Sequence, residues 1–157
     1  MTKIIGLTGG IGSGKTLVAN YIKSKGIPVY IADEEAKKIM ETKEVIQLVQ
    51  TTFGNGVILD KKIDRAKLAQ QVFNNPEKLQ KLNAIIHPLV KQNFDIWLKN
   101  HKKFPFVIKE AAILFESGSY KYCDSIITIT APLETRLQRV IDRDNTNRES
   151  VLSRMKN

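Results

Sequence analysis

The segment Lys3 to Thr16 limits what this chain can fold into more than any other: Lys-Ile-Ile-Gly-Leu-Thr-Gly-Gly-Ile-Gly-Ser-Gly-Lys-Thr. A short β-rich run leads into a turn dense in glycine, and a segment with helical periodicity follows. The turn contains Gly9-x-x-x-x-Gly14-Lys15-Thr16, a complete P-loop pattern. Glycines let successive backbone N–H groups point inward around an anion. A helix starting near Gly14 adds its N-terminal dipole and unpaired N–H groups. Lys15 can reach terminal phosphates, and the Thr16 hydroxyl can hold Mg²⁺. A glycine-rich turn can also bind nothing; the strand before it and the helix after it favour the phosphate reading.

The helix is expected over Lys15 to Lys25, with Leu17, Val18, Tyr21 and Ile22 on one face and Gly26 as its stop. Ile27 to Ile31 reads as a second strand, so the start of the chain forms a βαβ unit with parallel strands. Asp33, with Glu34 and Glu35, then opens a helix to about Met40. Strand ends in an open α/β sheet face the ligand, which places Asp33 at the P-loop edge. Aspartate is also a favoured N-cap, and position alone puts capping ahead of catalysis.

Residues 43 to 101 read as mostly helical: Glu44 to Phe53, Asp64 to Phe73, Pro76 to about Ile86, and Leu89 to about Lys99. The break is expected because the residue before Pro88 disfavours helical geometry. Val57 to Ile63 suggests a short hairpin around Asp60-Lys61-Lys62. The α/β alternation resumes with strands at Phe104 to Lys109 and Ser125 to Thr130 and a helix at Leu133 to Asp144; a last helix starts at Arg148. Arg136, Arg139 and Arg143 share one side of the Leu133 helix, as either a solvated basic face or a phosphate clamp. The architecture implied is an α/β parallel sheet of P-loop NTPase type with flanking helices, a helical substrate-binding insertion and an arginine-bearing lid. In numbers, a single domain spans 1–157, with a core at 1–32 and 103–132, the insertion at about 33–102 and the lid at about 133–157.

Composition narrows the function. The 157 residues carry a net charge of +9, which favours anionic ligands. The lysines are scattered, aromatics do not interleave with them, and no common nucleic-acid motif occurs, so a nucleotide is the expected anion rather than nucleic acid. The single cysteine, Cys123, excludes an internal disulfide and fits a reducing cytoplasm. No run reaches transmembrane length, so no membrane partner is expected. His87 and His101 have no partners at metal-ligand spacing.

Several separated patches together resemble the dephospho-coenzyme A kinase family. Leu7 to Thr16 is similar to its P-loop, with Thr16 where serine is commoner. Ala32-Asp33 resembles its Asp-Ala-Asp motif, with Ile31 in place of the first aspartate. Asp64-Arg65, Leu68-Ala69 and Val72-Phe73 resemble one of its helices, and Leu82-Asn83 with His87-Pro88 another motif. Leu114-Phe115-Glu116 matches the end of its Pro-Leu-Leu-Phe-Glu segment, with Ala112 and Ile113 replacing Pro-Leu. Arg139 and Arg143-Asp144 resemble its lid arginines.

The resemblance implies transfer of a phosphoryl group from ATP, with Mg²⁺, to the ribose 3′-hydroxyl of dephospho-coenzyme A. Gly9, Gly10, Ile11, Gly12, Ser13, Gly14, Lys15 and Thr16 would hold the nucleotide, and Thr16 the metal. Lys15, Asp33, Arg139 and Arg143 would be catalytic, which reverses the order of readings for Asp33. Thr8, Asp33, Arg65 and His87 would bind the acceptor; His87 has an equal claim to a structural role at the His-Pro break. A monomer or weak homo-oligomer is expected. Family members continue past this point with a helix, a final strand and a C-terminal helix, so the sequence reads as a trimmed chain whose adenine side is incomplete; a rival reading is an inactive fragment, whose exposed sheet edge would make it unstable or prone to aggregate. The rival readings are another small P-loop kinase, for a nucleoside monophosphate or small alcohol, and a nucleotide-binding regulator with no acceptor.

Overall fold

A computed structural model describes residues 1–73 and 75–156. They form two compact units, Met1–Ile31 with His101–Asn157, and Ala32–Asn100.

The first unit is built on a four-stranded parallel sheet. Its strands are β1 (Lys3–Gly9), β2 (Val29–Ile31), β5 (Phe106–Glu110) and β6 (Ser125–Ile129), in the order β2-β5-β1-β6. β1 and β2 are parallel, as the sequence suggests, but they do not pair. β5 lies between them, with Ile5 beside Ile108 on one side and Val29 beside Ile108 on the other. β2 is shorter than its apolar run because Pro28 has no N–H for the ladder; its carbonyl still accepts from Ile108 N at 2.9 Å. Helix α1 (Lys15–Ser24) buries Ala19 against Leu7 and Ile108, with Val18 and Ile22 beside them. β6 is pinned at its start by Asp124, whose carboxylate accepts from Ile4 N at 2.7 Å and whose N–H donates to Ile4 O at 2.8 Å.

Two further helices, α6 (Leu133–Asp144) and α7 (Arg148–Lys156), belong to the same unit. Leu137, Val140 and Val151 form their shared core, and Ile11 of the glycine-rich loop packs into it. α7 begins after Asn147, whose side chain accepts from Ser150 N at 2.9 Å, a cap that satisfies one of the helix's unpaired donors. The lid expected over about 133–157 ends at Asn157, which lies outside the described residues.

The second unit contains α2 (Ala32–Met40), α3 (Lys43–Phe53), α4 (Arg65–Phe73), α5 (Pro76–Asn100) and the hairpin β3 (Ile58–Leu59) and β4 (Lys62–Ile63). Its core is Ile39, Val45, Val49, Val57, Leu68 and Val72. The hairpin turns through Asp60 and Lys61, both at positive φ (49° and 63°), the pattern of a type I′ connection. Side chains of Thr42, Asp64 and Asn75 accept from the N–H three residues on and start α3, α4 and α5.

The expected break at Pro88 is absent, and α5 runs through it without interruption. An internal proline costs roughly 3 kcal/mol through its lost N–H and its clash with the preceding turn. Leu82, Ile85 and Ile86 before it, and Leu89 and Val90 after it, all pack against the one core. A fully buried aliphatic side chain contributes roughly 1.5–3 kcal/mol. Even partial burial of five outweighs the proline, so tertiary packing overrides the local preference.

Candidate active site

β1 delivers the chain to the sheet's carboxyl edge, and the loop of residues 10–14 turns it into α1. Gly14 sits at φ 102°, ψ 17°, and Gly12 at φ 76°, both left-handed conformations that a side chain strains. Space enforces glycine at Gly12 as well, since an added Cβ would lie 2.5 Å from Arg136 O and 2.9 Å from Val140 Cγ2. Within the loop Ser13 N donates to Gly10 O at 3.1 Å, closing a tight turn.

Three observations bear on whether an anion fits this loop. Ser13 Oγ is a buried polar atom with no hydrogen-bond partner among the described residues, and such an atom is costly unless a ligand or water satisfies it. Lys15 Nζ folds back across the loop to donate to Gly9 O at 2.9 Å, a neutral partner that a phosphate oxygen would outcompete. Thr16 is exposed at the start of α1, one residue beyond that lysine. The donors therefore suit a nucleotide's phosphates. The exposed Thr16 hydroxyl would also suit a Mg²⁺ ion, which keeps several waters and needs few protein ligands.

The arginine side of α6 divides into two parts. Arg136 is half-buried and its Nε donates to Ile11 O at 2.9 Å. Arg139 Nη1 lies 3.3 Å from both Gly12 O and Ser13 O. Arg143 is turned elsewhere: Asp144 takes it in a two-point pair, 2.6 and 3.1 Å, and also accepts from Arg154 at 2.7 Å. Hydrogen bonds to Arg143 and Arg154 hold the Asp144 carboxyl well below its usual range, and the bond to Asp144 raises Arg143. Glu134 is likewise lowered by its two-point bond with Arg148. Shared spacing on one helix side thus brings Arg136 and Arg139 to the loop and leaves Arg143 on a carboxylate.

Thr8, expected on the acceptor, is buried, and its hydroxyl donates to Ala111 O at 2.8 Å. Asp33 is exposed in the first turn of α2, two residues beyond Ile31 at the end of β2. Because α2 begins at Ala32, Asp33 is inside the helix rather than its cap. In the second unit, Arg65 donates to Glu41 Oε1 at 3.0 Å and Lys37 O at 3.3 Å, at a cleft of about 200 Å³ lined by Met40, Glu41, Lys62, Ile63 and Arg65. His87 is exposed on α5. With α5 continuous, a hinge role for His87 has no helix boundary to act on. The sequence drew attention to Arg136 through its spacing, but nothing in that spacing showed its contact with Ile11. No helix among the described residues is long and apolar enough to cross a membrane, and no cluster of three metal-ligating side chains occurs among them.

A parallel α/β sheet whose first strand empties into a glycine cradle, with lysine and threonine at the following helix start, defines a P-loop phosphate-binding protein. Comparison with known proteins narrows the class. The family model described as dephospho-CoA kinase matches residues 3–157. A dephospho-CoA kinase of Fusobacterium nucleatum is 51% identical over 148 residues, covering 93% of this chain and 76% of that protein. One from Bacteroides fragilis is 39% identical over 153 residues, covering 97% and 75%. A crystal structure from Thermus thermophilus superposes with a TM-score of 0.90 at 37% identity, over 99% of this chain and 79% of that one. Dephospho-CoA kinase from Campylobacter jejuni gives 0.68 at 27%, over 99% and 80%. This chain belongs to the dephospho-CoA kinase family.

Proposed function

We propose that this chain transfers the γ-phosphoryl group of ATP to the ribose 3′-hydroxyl of dephospho-coenzyme A, yielding coenzyme A and ADP. Family membership supports the reaction; the observation in the fold that carries it is the cradle of residues 9–16, with the unsatisfied Ser13 hydroxyl inside it. Phosphoryl transfer asks mainly for positioning and charge neutralisation. The loop amides and Lys15 hold the β- and γ-phosphates. Mg²⁺, when bound, neutralises phosphate charge, and Thr16 is the residue that would hold it. Asp33 orients the 3′-hydroxyl and takes its proton as the new O–P bond forms and the bond to the β-phosphate oxygen breaks.

Arg139 and Arg143 neutralise the transferring group and exclude water. For Arg143 this means exchanging the Asp144 carboxylate for phosphate, and for Arg139 exchanging loop carbonyls. Arg65 and His87 hold the coenzyme A moiety. We place the reaction in the cytoplasm, in keeping with the free thiol of Cys123. Coupled measurement of ADP release with dephospho-coenzyme A, nucleoside monophosphates and small alcohols tests the assignment. Turnover should depend on dephospho-coenzyme A; equal rates with another acceptor, or hydrolysis indifferent to any acceptor, would replace it.

A further inference from the structure

A glycine-rich loop binds phosphate only if its amides are held facing inward, and ordering a free backbone residue costs roughly 1–2 kcal/mol. Something outside the loop must supply that order. In a trans peptide the carbonyl of one residue and the N–H of the next point in opposite directions. Fixing the Ile11, Gly12 and Ser13 carbonyls on one side therefore aims the N–H groups of Gly12, Ser13 and Gly14 to the other. The Ser13 N–H is spent on Gly10 O, which leaves those of Gly12 and Gly14 for a ligand. All three carbonyls are held by α6: Arg136 Nε takes Ile11 O, and Arg139 Nη1 takes Gly12 O and Ser13 O.

The two arginines are not equivalent. Arg139 is exposed and its bonds are long, at 3.3 Å. Arg136 is half-buried and its bond is 2.9 Å. Its guanidinium lies against Gly10, with Cζ 2.8 Å from where a Cβ would stand, and its own carbonyl closes on Gly12. The Ile11 side chain, anchored among Leu137, Val140 and Val151, fixes the same peptide from its other end.

We propose that Arg136 is a positioning residue for the phosphate loop: it holds the Gly10–Gly12 segment from behind, keeping the Gly12 amide aimed at the nucleotide and setting the affinity for ATP. Arg139 is free to leave the loop during the reaction while Arg136 stays. The inference rests on the reading of this loop as the ATP phosphate site.

The test measures ATP affinity without acceptor, by calorimetric titration, and then KM and kcat with dephospho-coenzyme A, for wild type, Arg136→Met and Gly10→Ala. Losing a charge-assisted bond should weaken ATP about tenfold or more. The KM for ATP should rise in parallel, with kcat and the acceptor KM within about threefold. A global folding defect would not confine itself to one substrate. Gly10→Ala pushes the guanidinium off the loop while keeping the arginine, so its penalty should shrink in an Arg136→Met background; such non-additivity marks residues in contact. Unchanged ATP affinity in Arg136→Met, or penalties that simply add, overturns the proposal even if turnover is normal. A wild type that binds ATP but phosphorylates nothing overturns the assigned reaction, and the proposal then stands or falls on the affinity shift. A wild type that binds no ATP overturns both.

Discussion

Thr8 offers a clean separation between a substrate role and a structural one. The residue is buried at the end of β1, and its hydroxyl donates to Ala111 O at 2.8 Å, just beyond the end of β5. The Ala111 N–H in turn donates to Leu7 O at 3.1 Å, so the two neighbouring strands are tied where the loop begins. Thr8→Val preserves the shape and removes the donor. The Ala111 carbonyl then stays buried without that partner, at a cost of about 1–3 kcal/mol. At roughly 2 kcal/mol, a domain of this size loses about 4–8 °C in Tm, taking roughly 2–4 °C for each kcal/mol. A calorimetric melt reads that shift, and steady-state kinetics should give both KM values within about twofold of wild type. Thr8→Ser, which keeps the donor, should melt much closer to wild type. An unchanged Tm combined with a raised KM for dephospho-coenzyme A would refute the structural assignment and return Thr8 to the acceptor site.

Lys15→Ala should abolish phosphoryl transfer in a protein that still melts cooperatively; near-normal turnover removes Lys15 from the mechanism. Asp33→Asn should lower kcat by about 10²-fold or more, the usual range for a general base, and transfer at the wild-type rate would dismiss that role. Gly12→Ala places a Cβ at a left-handed position, at roughly 1–2 kcal/mol, and against Arg136 O and Val140, where overpacking adds roughly 1–3 kcal/mol; the denaturation midpoint should drop, and an unchanged midpoint would show that α6 yields freely. Asp144 and Glu134 have depressed carboxyls, so their contribution to stability is present above the unfolded values near pH 4 and lost as pH falls below them. Melts between pH 5 and about 2 should therefore show a shallower acid loss for Asp144→Asn than for wild type, with the difference fading in high salt; superimposable profiles would refute the pairing.

Much of the fold is local and was legible for that reason. The cradle is a contiguous motif, and Asp64 and Asn75 announce helix starts within three residues of themselves. Apart from the adjacent Arg143–Asp144 pair, the departures involve partners far away in sequence. Pro88 promises a break to anyone reading its neighbours, while the five side chains that cancel it gain their energy from a core assembled over the whole unit. The βαβ pattern gives parallel β1 and β2 but does not reveal that β5 separates them. In the site, helical spacing places Arg136, Arg139 and Arg143 together. Which of them meets the loop depends on Asp144 and Arg154 on one side and Ile11 on the other. The resemblance alone puts Thr8 on the acceptor, and nothing near it in sequence announces its bond to Ala111.

The position of β5 also sets an order of events during synthesis. β1 and β2 leave the ribosome early, yet neither is the other's neighbour, and the strand that joins them follows only after roughly seventy further residues, about 4–15 s of translation. Throughout that delay the apolar run Ile4-Ile5-Gly6-Leu7 has no ladder to enter. The intervening residues 32–100 do not share that dependence, because their helices and hairpin draw on contacts among themselves. The unit begun first is therefore finished last, and its phosphate cradle, opening directly off β1, waits on a strand encoded nearly a hundred codons downstream.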